Sequence, residues 1–111
     1  KARWKNEEHY MTDITYKDII DQFGTERQCR QAMEECAELI QAINKAVRYP
    51  NNSSTRLQLI EEIADVKIMI MQLEEMFDIT WKEASHMFEY KKVRLIKKYL
   101  EEKHMAERRT E

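Results

Sequence analysis

The chain has almost nothing with which to turn. Its 111 residues contain a single glycine, Gly24, and a single proline, Pro50. Tight β-turns draw heavily on glycine, proline and asparagine, so a sandwich or barrel of many short strands is excluded. A dinucleotide-binding turn or a P-loop needs several glycines against the phosphate, which excludes both. The longest wholly apolar run is Ile68 to Met71, far too short for a membrane span. What remains is a helical chain, and its length suits a single domain.

Composition narrows the partners. Lys and Arg total 19, Asp and Glu total 21, and the formal net charge is −2. No global field draws nucleic acid, and no strongly basic stripe argues for it. Cys29 and Cys36 are seven residues apart on one predicted helix. That places their Cα atoms about 10.5 Å apart, too far for a bridge within the chain. Two buried, reduced cysteines suit the cytoplasm, and no signal-peptide core is present. A domain near this size hides roughly two-thirds of its unfolded surface, so self-association would help it.

The pattern predicts four helices. The first covers residues 16–23 and ends at Gly24, an expected C-terminal glycine. The second opens at Thr25, with Gln28 completing a capping-box pattern, and runs to about Arg48. Tyr49 to Ser54 is the one real loop. The third runs from about Thr55 to Phe77, and the fourth is capped by Thr80 with Glu83 three residues on. Residues 1–14 are read as an N-terminal extension with Met11 as a candidate start, 15–100 as the helical domain, and 101–111 as a polar tail that frays. The core stripe of the second helix is read as Cys29, Met33, Cys36, Ile40, Ile43 and Val47; that of the third as Leu59, Ile60, Ile63, Val66, Ile70, Leu73 and Phe77. Ile68, Met69, Met71 and Met76 make the third helix apolar nearly all round. This predicts burial on more than one face, and hence a homo-oligomer with that helix near its centre. Trp81 is read as core.

Acidic pairs at i, i+3 are no signal in themselves. An acidic fraction of 21/111 predicts roughly four by chance, and four occur: Asp18/Asp21, Glu35/Glu38, Glu62/Asp65 and Glu75/Asp78. Two of them stand inside a near-repeat. Residues 33–39 read Met-Glu-Glu-Cys-Ala-Glu-Leu and residues 60–66 read Ile-Glu-Glu-Ile-Ala-Asp-Val. Each copy lies mid-helix in an apolar pattern. About 15 Å of helix separates Glu38 from Arg48, and about 10.5 Å separates Thr55 from Glu62. Packed antiparallel across a short loop, the two copies meet within about one turn. On the third helix the acidic side continues into Met69 and Met76.

Four converging carboxylates repel one another, and cations relieve that repulsion. An all-oxygen set suits Mg²⁺ or Mn²⁺, whereas His9, His86 and His104 do not flank the motifs as a zinc site would need. Such a cluster serves phosphoryl transfer to water.

Glu34-Glu35-Cys36-Ala37-Glu38, followed after 23 residues by Glu62-Ile63-Ala64-Asp65, resembles the E-E-x-x-E … E-x-x-D signature of the MazG-like, all-α nucleotide pyrophosphohydrolases. That superfamily includes dimeric dUTPases, dCTP pyrophosphatases and phosphoribosyl-ATP pyrophosphohydrolase. The resemblance covers roughly residues 15–100. It implies a MazG-like four-helix bundle, assembled as a homodimer or homotetramer. It also implies hydrolysis of a nucleoside triphosphate between the α and β phosphates, with removal of unwanted nucleotides as its purpose. By the motif match Glu35, Glu38, Glu62 and Asp65 are the Mg²⁺ ligands, with Mn²⁺ able to substitute. Glu34 and Glu61 help position water, and one ligand glutamate such as Glu38 serves as general base. Members often carry a Lys in the last helix followed two residues later by Asn; Lys91 matches the first and Val93 departs from the second. Lys91 and Lys92 are read as phosphate-facing, and Met69 as lining a base pocket. The alternative from another class is a non-catalytic helical interaction module with a vestigial acidic site.

Overall fold

The computed structural model describes residues 13–110; most of the predicted N-terminal extension lies outside them. The described residues are all helical between turns, with no strand among them. Four helices follow in order: α1 (Tyr16–Phe23), α2 (Thr25–Arg48), α3 (Ser53–Met76) and α4 (Trp81–Thr110). The chain divides after Asp78 into two units, the first holding α1 to α3 and the second α4.

Local chemistry sets each boundary. Thr15 caps α1 reciprocally: its Oγ1 accepts from the Asp18 N–H at 3.2 Å, and its own N–H donates to Asp18 Oδ2 at 3.0 Å. Gly24 stops α1 with φ at 93°, where a side chain would be strained, and its N–H bonds Ile20 O at 2.7 Å. The same glycine is the N-cap of α2, so Thr25 already lies inside the helix. The capping box read at Thr25 and Gln28 does not form. Gln28 reaches instead across to α3. That helix starts two residues earlier than the sequence pattern suggested, because the Asn52 side chain accepts from the N–H groups of Ser54 and Thr55. It ends where Asp78 takes a left-handed φ of 53°. In the second unit Thr80 and Glu83 form the reciprocal cap expected of them. α4 then runs on to Thr110 rather than fraying from Glu101. Glu, Lys, Met, Ala and Arg all favour helix, and no glycine or proline interrupts.

The first unit is an α2–α3 hairpin with α1 packed on both. Its seam differs from the expected core stripe. Gln28, Ala32, Glu35, Leu39, Ala42 and Ala46 are the buried or half-buried positions of α2 at alternating four- and three-residue spacing. On α3 the matching series is Thr55, Leu59, Glu62, Val66, Met69, Leu73 and Met76. The stripe read as the α2 core faces out: Met33, Ile40 and Val47 are 65%, 68% and 75% exposed, and Cys36 is exposed as well. Only Cys29 is half-buried, its Sγ lying 3.9 Å from Met76 Sδ. Alanines let the helices approach closely, so the pair uses the small-residue face and leaves the bulky one unpartnered. The α3 stripe splits likewise: Leu59, Val66 and Leu73 turn inward while Ile60, Ile63, Ile70 and Phe77 are exposed. Both cysteines are free, in accord with their spacing.

α4 buries none of its residues. Trp81, read as core, is 84% exposed. Phe88, Leu95 and Tyr99 lie at seven- and four-residue spacing and are exposed too, so the helix carries an apolar face. Among the described residues no helix is long and apolar enough to cross a membrane.

Candidate metal centre

The two near-repeat segments meet in the middle of the α2–α3 seam. Oxygen atoms of Glu35, Glu62 and Asp65 all lie within 4.8 Å of one another. Glu35 comes from α2 and the other two from successive turns of α3. The heptad spacing places Glu35 and Glu62 at positions that would ordinarily be apolar, which is why they are half-buried. Asp65, one step round α3, sits at the rim and is exposed.

The environment of these groups is short of donors. Gln31, one turn before Glu35, donates its Nε2 to Glu35 Oε1 at 2.8 Å. The second oxygen of Glu35 and the corresponding oxygen of Glu62 are buried without a hydrogen-bond partner among the described residues. Nor does a cationic side chain among the described residues pair with them. The ion pairs among the described residues join Lys17 to Asp21, Arg30 to Glu26 and His104 to Glu107, all elsewhere. Burial is the main force raising the Glu35 pKa, followed by the neighbouring Asp65 carboxyl; the Gln31 bond opposes it. Glu62 is raised mainly by burial as well, then by the charges of Glu38 and Asp65.

Buried carboxylate oxygens normally have partners, and an orphaned one carries a desolvation cost. Two such oxygens beside a third carboxylate form a hard, anionic, all-oxygen pocket. All three atoms lie within 4.8 Å of one another, within the reach of ligands that share one divalent ion. The residues present therefore fit Mg²⁺ or Mn²⁺ better than any softer metal.

The other sequence-predicted residues lie as follows. Glu38 is exposed, outside the close trio, but near enough that its charge raises the pKa of Glu62. Glu34 is exposed and lines a separate surface depression with Glu26, Arg27, Arg30 and Gln31. Glu61 is exposed beside Glu62, whose pKa it raises by its charge. Met69 is buried, 5% exposed, at a seam position rather than at an open surface. Lys91 and Lys92 are exposed on α4, in the second unit.

Two glutamines near the trio, Gln31 and Gln72, escaped the sequence reading, and Gln28 entered it only as a capping residue. Besides Gln31, Gln28 and Gln72 are buried and joined directly, Gln28 Nε2 donating to Gln72 Oε1 at 2.8 Å. The signal for them was available: each is seven residues from a carboxylate of the trio, Gln28 before Glu35 and Gln72 after Asp65.

Comparison with known proteins adds no relative: no family model, no curated protein and no solved structure matches the chain.

Proposed function

We propose that the chain is a cytoplasmic, metal-dependent nucleoside triphosphate pyrophosphohydrolase of the MazG-like kind, acting as a homo-oligomer. It releases a nucleoside monophosphate and pyrophosphate. The observation that carries this reading is the trio Glu35, Glu62 and Asp65, with two buried oxygens that nothing among the described residues satisfies. Their purpose is met by a divalent cation, which would neutralise phosphate oxygens and acidify a bound water. The chain's own residues do the rest. Glu35 and Glu62 hold their unpaired oxygens in a dry seam, where their charge is felt most strongly. Asp65 closes the trio at the rim. Glu38, beside Glu62 yet in contact with solvent, is placed to accept a proton from an attacking water. The resemblance further implies Lys91 and Lys92 as the ammonium groups for substrate phosphate.

Two features support assembly. The exposed α2 stripe forms an apolar groove with Leu73 and Phe77, and α3 exposes Ile60, Ile63 and Ile70 on other sides. Exposed apolar area on this scale marks an interface. Pyrophosphate release from a panel of canonical and modified nucleoside triphosphates, with Mg²⁺ and with EDTA, tests the reading. Turnover that needs the metal and is lost in Glu38→Gln is the expected result. No turnover of any nucleotide, with no Mg²⁺ binding, would defeat it.

A further inference from the structure

We infer that Gln28 and Gln72 are positioning residues, whose buried hydrogen bond fixes the axial register of α2 against α3 and so brings Glu35 to Glu62 and Asp65. The inference rests on the proposed cation site and says what holds that site together.

Shape alone specifies this register weakly. Three of the six α2 seam positions are alanine, Ala32, Ala42 and Ala46, with Leu39 the one bulky apolar side chain among them, and an alanine is a poor knob for a facing hole. The carboxylates themselves oppose it, since Glu35 against Glu62 and Asp65 is repulsive whenever all three are ionised. A small slide or rotation would separate them at little cost in apolar contact. Something must hold the helices against that slide. Among the described residues, the Gln28–Gln72 contact is the one direct N–H···O bond between side chains of different helices. It is also in the right place. Gln28 precedes Glu35 by seven residues, and Gln72 follows Asp65 by seven. In an antiparallel pair, those spacings put both contacts in one register, about 10.5 Å apart along the seam. With both side chains 95% or more buried (5% and 4% exposed), a slide would strand two amides without partners. A single buried polar contact that specifies register is a known device of helix pairs.

The test separates register from stability. Replacing both amides, Gln28→Leu with Gln72→Leu, removes the bond without orphaning either group, so the melting temperature should hold or rise. Register is read without metal by Glu35→Cys with Asp65→Cys, in a background carrying Cys29→Ala and Cys36→Ser. A short bifunctional thiol reagent should join that pair quickly when both glutamines are present. With the two leucines added, the rate should fall at least tenfold. In a chain with its carboxylates intact, the two leucines should also weaken Mn²⁺ binding at least tenfold. Unchanged cross-linking together with unchanged Mn²⁺ binding in a folded double variant overturns the inference. Should the leucine pair not fold, Gln72→Asn, which keeps the amide but shortens its reach by one methylene, decides: a cross-linking rate equal to the parent overturns it. Wild-type protein that binds no Mn²⁺ would defeat the cation site, while the cross-linking arm still decides the register.

Discussion

The N-terminus of α1 and the centre of the α2–α3 seam use the same side-chain chemistry to opposite ends. At the first, Asp18 accepts the Thr15 N–H at 3.0 Å, and its pKa lies below the ordinary carboxylate range because of that backbone bond and the Thr15 hydroxyl. At the second, Glu35 and Glu62 each keep a buried oxygen with no donor, and burial pushes both pKa values up. A carboxylate that serves the fold is given donors; each of these two keeps one buried oxygen that has none among the described residues. An apolar pair in the seam would hold the hairpin at least as well. The difference between the two regions is the reason to look for a ligand at one and not at the other.

The sharpest way to break the comparison is Glu62→Gln. If Glu62 is a cation ligand, pyrophosphate release should fall by more than about 100-fold, at or beyond the loss seen when even outer-shell partners of a metal are removed. The metal-free protein should be as stable as the parent or more so, since a repelling charge has gone. Retained turnover, or a collapse of the fold, would put Glu62 with Asp18 as a structural carboxylate.

Next in size is the response to metal. Mg²⁺ or Mn²⁺ at about 100 times its dissociation constant should stabilise the chain by about 2.7 kcal/mol. Thermal melting with and without EDTA reads this directly, and Glu35→Gln should remove the response. Equal melting temperatures for the parent in both conditions would leave the orphaned oxygens without an occupant.

The comparison also marks what a sequence can disclose. The near-repeat placed Glu35, Glu62 and Asp65 together correctly, because a short loop between two long helices leaves one antiparallel arrangement. Helix ends were legible at Thr80, whose side chain makes the cap, and at Gly24, which ends α1 as read; the capping box read at Thr25 and Gln28 does not form, and the Asn52 cap that starts α3 two residues early was missed. The core stripe of α2 was misread for a deeper reason. Hydrophobicity ranks Met33, Ile40 and Val47 above Ala32 and Ala42, yet close helix packing selects small residues and leaves bulky ones for another surface. Gln28 was misread as a capping residue and Gln72 was missed, because a lone glutamine on a helix reads as polar and solvated; only the partner helix reveals that both are buried. Wheel patterns report which faces are apolar, not which apolar face the chain itself covers.

A smaller effect belongs to the region that serves the fold. Thr15→Ala removes one half of the α1 cap and should cost about 1 kcal/mol. In a domain of this size that lowers the melting temperature by roughly 4–8 °C. Calorimetry measures it, and Mn²⁺ titration of the same variant should give the parent affinity. A loss of Mn²⁺ binding there would mean that the cap and the seam are one cooperative element, and that the contrast between them is false.

The smallest effect, and the one that sets the two regions most directly against each other, is the pH dependence of stability without metal. Glu35 and Glu62 titrate above the ordinary glutamate value in the folded chain, so between that value and their own the folded state binds more protons than the unfolded. Their contribution is fully present below the ordinary value and is lost as pH rises through the raised ones. Asp18 has the opposite sign. Its pKa is depressed, so its contribution is present above the ordinary aspartate value and is lost as pH falls through the depressed one. Stability measured by denaturant at successive pH values should therefore decline on both sides of the ordinary carboxylate range. Glu62→Gln should flatten only the decline at higher pH, and Asp18→Asn only the one at lower pH. Saturating Mg²⁺ should act like the first substitution, because a cation that binds the ionised trio cancels the penalty of ionising it. A decline at higher pH that survives both Glu62→Gln and Mg²⁺ would have to come from groups outside the seam, and the seam carboxylates would then lose the property that sets them apart from Asp18.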